Sequence, residues 1–234
     1  MRKAKGPLVR EARPAEAGTI AGLEPVGRGG RQFEVTMTSG WQFRIDPSLV
    51  IDFSLATGVH LDLPTMQRLL DADDLIAAKA VAARQLAYRP RSISELRSTL
   101  ASRGFREVTI DAVVERFTDL GYLNDEDFAR RWIATREAVA PRGKRLLKQE
   151  LRQKGIGADL VDEALEAADL DDLESARALA ERRAAKMGGL DRDTKRRRIA
   201  GLLERRGYSY DVVRRVDREL FPWNATDDEE PDEP

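Results

Sequence analysis

The 234-residue chain contains no cysteine and a single histidine, His60. Without thiols there is no disulfide, no zinc–cysteine site and no thiolate nucleophile. A metal site would have to be built from carboxylates alone, and Ser-His-Asp chemistry has nothing to support it. His60 lies in an apolar stretch, where a surface or packing role is expected. Aromatic residues make up only 6% of the chain, so the cores must be made of Leu, Ala and Val. No apolar run approaches the roughly 18 residues of a membrane span, and no signal-like N-terminus is present. The cytoplasm is therefore the expected location, with no membrane contact. The glycine-rich "GRGGR" at 27–31 is not followed by a helix, so it reads as a hairpin turn rather than a phosphate loop. Together these absences argue against an enzyme, and no cofactor or metal is expected.

Charge is plentiful by contrast, at 35% of residues. The formal net charge of −1 conceals strong segregation. Residues 142–154 hold six bases against one acid, and residues 182–218 hold thirteen against five. Residues 224–234 hold six acids and no base. Basic segments of this kind suit phosphates or an acidic protein surface. The acidic end is expected to be disordered and to fold back weakly over a basic face.

One pattern recurs three times. "ELRSTLASRGF" at 95–105 returns as "LLKQELRQKGI" at 146–156 and as "RIAGLLERRGY" at 198–208. The shared skeleton is an apolar residue, Leu four later, a basic residue, Gly, and a large apolar residue. It falls on Leu96, Leu100, Arg103, Gly104 and Phe105, then on Leu147, Leu151, Lys154, Gly155 and Ile156. The third copy is Ile199, Leu203, Arg206, Gly207 and Tyr208. Apolar residues at i and i+4 share a helix face, and Gly after a basic last turn ends a helix in the left-handed conformation. If Gly is the first residue past the cap, the residue after it touches the Leu. Phe105 should therefore meet Leu100, Ile156 should meet Leu151 and Tyr208 should meet Leu203.

The expected fold is mainly α: three tandem three-helix repeats forming an elongated curved body, preceded by a small β meander. Residues 1–17 read as disordered. Residues 18–63 form a β-rich segment, with strands in "TIAGLEPV", "QFEVTM" and "WQFRI" and a turn at Ser39-Gly40. Repeat one, with a linker helix starting near Pro64, covers 64–122. Repeat two covers 123–170 and repeat three 171–222, with the acidic tail at 223–234. Helices are expected near 73–88, 93–103 and 110–120, then 125–139, 143–154 and 160–168, then 172–187, 192–206 and 210–220. Ile110, Val113 and Phe117, Val161, Ala164 and Ala168, and Val213, Val216 and Leu220 should line the third helix of each repeat. Ser92, Thr109, Asn124, Asp159, Asp191 and Ser209 are good N-cap types. Pro141 and Gly143 stand where a cap for the second helix of repeat two would be expected. The acid pairs Asp73-Asp74 and Asp171-Asp172 should open helices.

The candidate binding residues are basic. In repeat two they are Arg130, Arg131, Lys144, Arg145, Lys148 and Arg152, with Lys144, Lys148 and Arg152 spaced as one stripe. In repeat three they are Lys195, Arg196, Arg197 and Arg198. A solvated arginine-rich face is the plain alternative. Trp132 and Tyr122 would be able to stack on bases, but their positions suit core packing better.

"GYLNDEDFARRWIATR" at 121–136, followed by "RGKRLLKQELRQKGI" at 142–156, resembles the central signature of the RecX family of RecA recombinase regulators. The matching residues are Gly121, Tyr122, Leu123, Asp125, Phe128, Ala129, Arg130, Gly143, Lys144, Arg145, Glu150, Leu151, Lys154, Gly155 and Ile156. Asn124 stands where an acidic residue is frequent in the family. "RPRSISELRSTLASRGF" at 89–105 is similar to the family's first repeat, and the resemblance covers about residues 73–220. It implies a regulator of homologous recombination, DNA repair and the SOS response, monomeric and without catalysis. Such a protein would bind the RecA filament on single-stranded DNA, lie in its groove, and dampen strand exchange, ATP hydrolysis and coprotease activity. Two other readings stay open on the residues alone: a direct single-stranded DNA-binding competitor of the recombinase, and an adaptor with no nucleic-acid role.

Overall fold

The computed structural model describes residues 15–222 except Arg28; the expectations for residues 1–14 and 223–234 lie outside the described residues. The chain forms two compact units that divide after Leu123.

The first unit begins with a sheet. Strands β1 (Gly18–Val26), β2 (Gln32–Met37) and β3 (Gln42–Ile45) form the antiparallel meander. A fourth strand corrects the three-stranded expectation: β4 (His60–Leu61) pairs with the start of β1, in the order β3-β2-β1-β4. Two residues are too few to show a period, so β4 was not legible in the sequence. Gly27, Gly29 and Gly30 carry positive φ in the first hairpin and Gly40 in the second. His60 is exposed, its Nδ1 3.3 Å from the Thr19 hydroxyl.

Alternation along β2 and β3 buries Val35, Met37, Phe43 and Ile45 on one face. That face packs with Leu49 of helix α1 (Ser48–Asp52) and with Met66, Leu69 and Leu70 of helix α2 (Leu63–Tyr88). A small sheet is marginal alone, and the first half of α2 completes its core.

Helix α2 runs unbroken for 26 residues. Asp62 caps it by accepting the Thr65 N–H at 2.8 Å, with Pro64 in the first turn. Asp73 and Asp74 therefore lie inside a helix rather than opening one. Asp73 is buried and accepts the Asp46 N–H at 2.8 Å, tying the end of β3 to α2. The second half of α2 supplies Ala78, Val81 and Ala82 to the core of repeat one. That repeat is completed by α3 (Ile93–Ala101) and α4 (Glu107–Asp119).

The second unit holds two repeats. Helices α5 (Asp125–Val139), α6 (Lys144–Gln153) and α7 (Ala158–Ala167) make repeat two. Helices α8 (Asp172–Ala185), α9 (Arg192–Arg205) and α10 (Tyr210–Leu220) make repeat three. Each of the three repeats has its own buried cluster.

The recurring skeleton forms the same cap each time. Gly104, Gly155 and Gly207 have φ of 82°, 80° and 85°. Phe105, Ile156 and Tyr208 donate their N–H to the carbonyls of Leu100, Leu151 and Leu203 at 3.3, 3.1 and 3.2 Å. The glycine N–H groups close the inner bond to Ala101, Arg152 and Glu204. This is the Schellman pattern, with both apolar partners buried in every copy. The end of α4 adds a further one at Gly121, where Tyr122 donates to Phe117 at 2.9 Å.

The side chains of Ser92, Asn124, Asp171, Asp191 and Ser209 cap their helices as expected. Thr109 and Asp159 do not: Arg106 and Gly157 hold those cap positions without a side-chain bond. Thr109 is buried instead. Ala168 is exposed, and Leu165 takes the core position beside Ala164.

The carboxyls of Asp171 and Asp191 lie below the usual value of 3.8, first because they accept backbone N–H groups from Glu174 and Thr194. A depressed folded value adds stability above the unfolded value and loses it as pH falls through the folded one. Asp191→Asn keeps a capping oxygen that cannot titrate. Its melting temperature is therefore expected to decline less steeply than wild type below pH 3.8 in a series of thermal melts. Parallel curves would show that the Asp191 cap does not couple to folding.

Candidate partner-binding surface

The basic residues divide sharply by whether a carboxylate already holds them. On α5, Arg130 pairs with Glu126 at 3.3 Å, and Arg131 with Asp127 at 2.8 Å, both at i,i+4 spacing. On α6, Lys144, Lys148 and Arg152 are all exposed, as the stripe requires. Lys148 reaches Asp162 of α7 at 2.6 Å. Among the described residues Lys144 and Arg152 have no ion pair. Arg145 turns to the Glu204 carbonyl at 3.4 Å, near the negative end of α9.

The expected gap in capping at Pro141 and Gly143 is filled from elsewhere in the fold. The N–H of Lys144 donates to both carboxylate oxygens of Asp172, at 3.2 Å each, and the N–H of Gly143 donates to the Arg206 carbonyl at 3.0 Å. Repeat three thus supplies the acceptors that repeat two lacks. Burial pushes the Asp172 carboxyl up, and the Lys144 N–H opposes it. Beside this joint the buried Tyr208 meets the Ser175 hydroxyl at 2.9 Å.

Trp132 and Glu150 serve structure. The indole Nε1 of Trp132 donates to Glu150 at 2.8 Å, Arg136 donates to the same carboxylate at 3.0 Å, and Arg142 pairs with it. The face of Trp132 is taken by Arg136, 4.3 Å from the ring centre, and Lys154, at 5.1 Å. Tyr122 departs from its expected core position: it is 66% exposed and tilted against Phe117.

Helix α9 shows two chemically different faces. Toward α10, Arg196 is held by Asp217 at 2.7–2.9 Å, and Asp193, Arg214 and Tyr210 make that side mixed in charge. Toward α8, Arg197, Arg198 and Arg205 join Arg183 around a cleft of about 550 Å³, floored by Met187 and Leu202. Among the described residues no carboxylate lines this cleft and none of its four arginines makes an ion pair. The "KRRR" cluster is therefore split: Arg196 is held by Asp217, Arg197 lies between the two faces and its charge acts on Asp191, Arg198 faces the cleft, and Lys195 is half-buried. Arg183 and Arg205 were not among the candidate residues. The spacing of Arg198, Leu202 and Arg205, at i, i+4 and i+7, was the available signal for Arg205. For Arg183, on another helix, there was none.

Among the described residues no group of His, Asp and Glu is placed to hold a metal, and no helix is long and apolar enough to cross a membrane. The fold and this surface define a protein of tandem three-helix repeats that displays cationic side chains. Family models for the first, second and third three-helix domains of RecX match residues 78–117, 124–165 and 170–216. The chain belongs to the RecX family. The regulatory protein RecX of Streptomyces coelicolor is 36% identical over 158 residues, 67% of this chain and 84% of that protein. That of Mycolicibacterium smegmatis is 40% identical over 147 residues, 58% of this chain and 77% of its own. A crystal structure of RecX from Lactobacillus salivarius superposes with a TM-score of 0.56 at 27% identity, over 64% of this chain and 97% of that one. Another crystal structure of regulatory protein RecX shares the fold with a TM-score of 0.60 at 21% identity, over 85% of this chain and 98% of that one. These relatives are named as regulatory proteins, not as enzymes.

Proposed function

We propose that this protein binds the RecA recombinase filament on single-stranded DNA and inhibits its recombinase, ATPase and coprotease activities, acting as a cytoplasmic monomer. The observation that carries the reading is the set of cations on repeats two and three that are exposed and, among the described residues, make no ion pair, in a chain of the RecX family. Free cations can exchange water for phosphate or for an acidic protein surface without first breaking an internal pair. The contacts would therefore weaken with salt.

The test is RecA ATP hydrolysis on single-stranded DNA, with this protein titrated from far below to above the recombinase concentration. A gel shift on the same DNA without RecA runs alongside. Inhibition at amounts too small to coat the DNA is expected; inhibition only once the DNA is coated would favour simple competition for the strand. Replacing Lys144, Lys148 and Arg152 together by Ala should leave the fold intact, since all three are exposed. Exposed charge contacts are worth about 0.2–1 kcal/mol each, so losing three should raise the inhibitory midpoint about 3- to 150-fold. An unchanged midpoint would move the contact surface away from α6.

A further inference from the structure

We infer that the four-arginine cleft of repeat three is a binding site for the phosphodiester backbone of a single nucleic-acid strand. This rests on the reading above, of a regulator working on a nucleoprotein filament, and narrows it to one surface that the family signature at 121–156 does not include.

Four observations point to this ligand. First, the cations are all arginine: Arg183 on α8 and Arg197, Arg198 and Arg205 on α9. Guanidinium presents a planar fork of donors that matches phosphate oxygens two at a time, which an ammonium cannot do. Second, among the described residues no acid lines the cleft and none of its arginines makes an ion pair; Arg197 alone of the four also borders the acids on the α10 side, where Arg196 is bound to Asp217. Third, the arrangement is linear. Arg198 and Arg205 lie seven residues apart on one helix face, or about 10 Å along the axis, with Arg183 across the groove. That suits an extended polyanion better than a single ion. Fourth, the floor is apolar, made of Met187 and Leu202, and can lie against sugar carbons. A side chain at Gly201 would press on Arg205, whose Nη1 lies 3.2 Å from where a Cβ would stand. This helix-interior glycine, costly by about 1 kcal/mol relative to Ala, leaves the guanidinium room.

Among the described residues no aromatic ring lines the cleft. Tyr208 is buried, and Tyr210 sits on the other face under Arg214. The site therefore reads backbone charge and not base identity, and binding is expected to be indifferent to sequence.

The experiment is fluorescence anisotropy of labelled oligo(dT) and oligo(dA) with the full chain, from 50 to 200 mM salt. Each phosphate neutralised on a single strand contributes about 0.7 to the slope of log K against log salt. Wild type is compared with R198A/R205A and R198K/R205K, both side chains changed being exposed. The alanine pair should lower the slope by about 1.4, because two contacts are lost. The lysine pair should keep the slope but bind more weakly, because charge survives and the fork does not. Equal binding of the two oligonucleotides is expected. An unchanged slope and affinity in the alanine pair would overturn the inference. So would arginine-dependent binding of poly-glutamate with no effect on oligo(dT), which would make the cleft a site for acidic polypeptide. The ATPase titration separates the two proposals. A wild-type protein that inhibits RecA while its alanine pair binds oligo(dT) normally removes only the cleft. One that fails to inhibit, with the slope change intact, removes only the regulatory reading.

Discussion

Gly207→Ala is expected to destabilise the protein by about 2–5 kcal/mol, the sum of two separate effects. Gly207 sits at φ +85°, where an L side chain costs about 1–2 kcal/mol. A Cβ there would also overlap the Leu146 side chain and stand 2.7 Å from the Leu146 nitrogen and 3.0 Å from its Cα. Overpacking of this kind typically costs about 1–3 kcal/mol, and backbone cannot swing aside as a flexible side chain can. Two other glycines separate the effects. Gly121 has φ +74° and open space around it, so Gly121→Ala should show only the conformational cost of about 1–2 kcal/mol. Gly143 has φ −67°, which suits any residue, but its Cβ would stand 2.5 Å from the Gly207 oxygen and 2.7 Å from the Tyr208 nitrogen. Gly143→Ala should therefore show only the packing cost of about 1–3 kcal/mol. Because both substitutions press on one joint, the double variant should lose less than the two losses added together. Urea unfolding of the four variants checks all of this. If Gly207→Ala were no worse than Gly121→Ala, the first turn of α6 would not be seated on the α9–α10 junction.

That joint marks the boundary of what the sequence discloses. The helix stops were legible because a Schellman cap is local: Leu, a basic residue, Gly and an apolar residue lie within six positions, and each element has a reason of its own. The apolar stripes were legible for the same reason, since helical period places Leu96 and Leu100, or Leu147 and Leu151, on one face. What failed was non-local. The cap of α6 comes from Asp172, 28 residues onward, so a reading that looks for a capping residue beside Gly143 finds none. Asp73-Asp74 resembled a helix start because acids favour that position. The signal that moves them inside α2 is a buried bond to Asp46, 27 residues back. Strand β4 owes its existence to pairing with Gly18 and Thr19, not to its own two residues.

The binding surface divides in the same way. Which residues are basic is plain from the sequence, and the exposed stripe of α6 follows from spacing. Which cations remain available depends on tertiary neighbours. Asp162 takes Lys148 and Asp217 takes Arg196, yet Arg198, two positions further along α9, turns to the cleft. Two residues along a helix are a rotation of about 200°, enough to exchange a carboxylate neighbour for a cationic one. Arg183 and Arg198 become neighbours only because α8 and α9 pack together, and no pattern in either helix announces it.

Leu151→Ala is expected to cost about 2–5 kcal/mol, the range for removing three buried heavy atoms from a core that relaxes only in part. Leu151 is fully buried, and it is at once the i+4 partner of Leu147 on the inner face of α6 and the residue whose carbonyl receives the Ile156 N–H. Its equivalents Leu100 and Leu203 are as deeply buried and receive the same bond, from Phe105 and Tyr208. The three substitutions should therefore cost alike within the spread that local collapse allows, while exposed Arg152, next in the chain, should tolerate Ala within about 0.5 kcal/mol. The effects should also be separable in space. Leu100, Leu151 and Leu203 belong to three different buried clusters, and stability in repeat proteins is approximately a sum of repeat and neighbour contributions. Hydrogen exchange on Leu151→Ala should show its largest loss of protection in α5, α6 and α7. In Leu100→Ala the loss should fall on α3, α4 and the second half of α2. A uniform loss across both units in either variant would mean that the repeats unfold as one block, and the separate cores would then not act as separate cooperative elements.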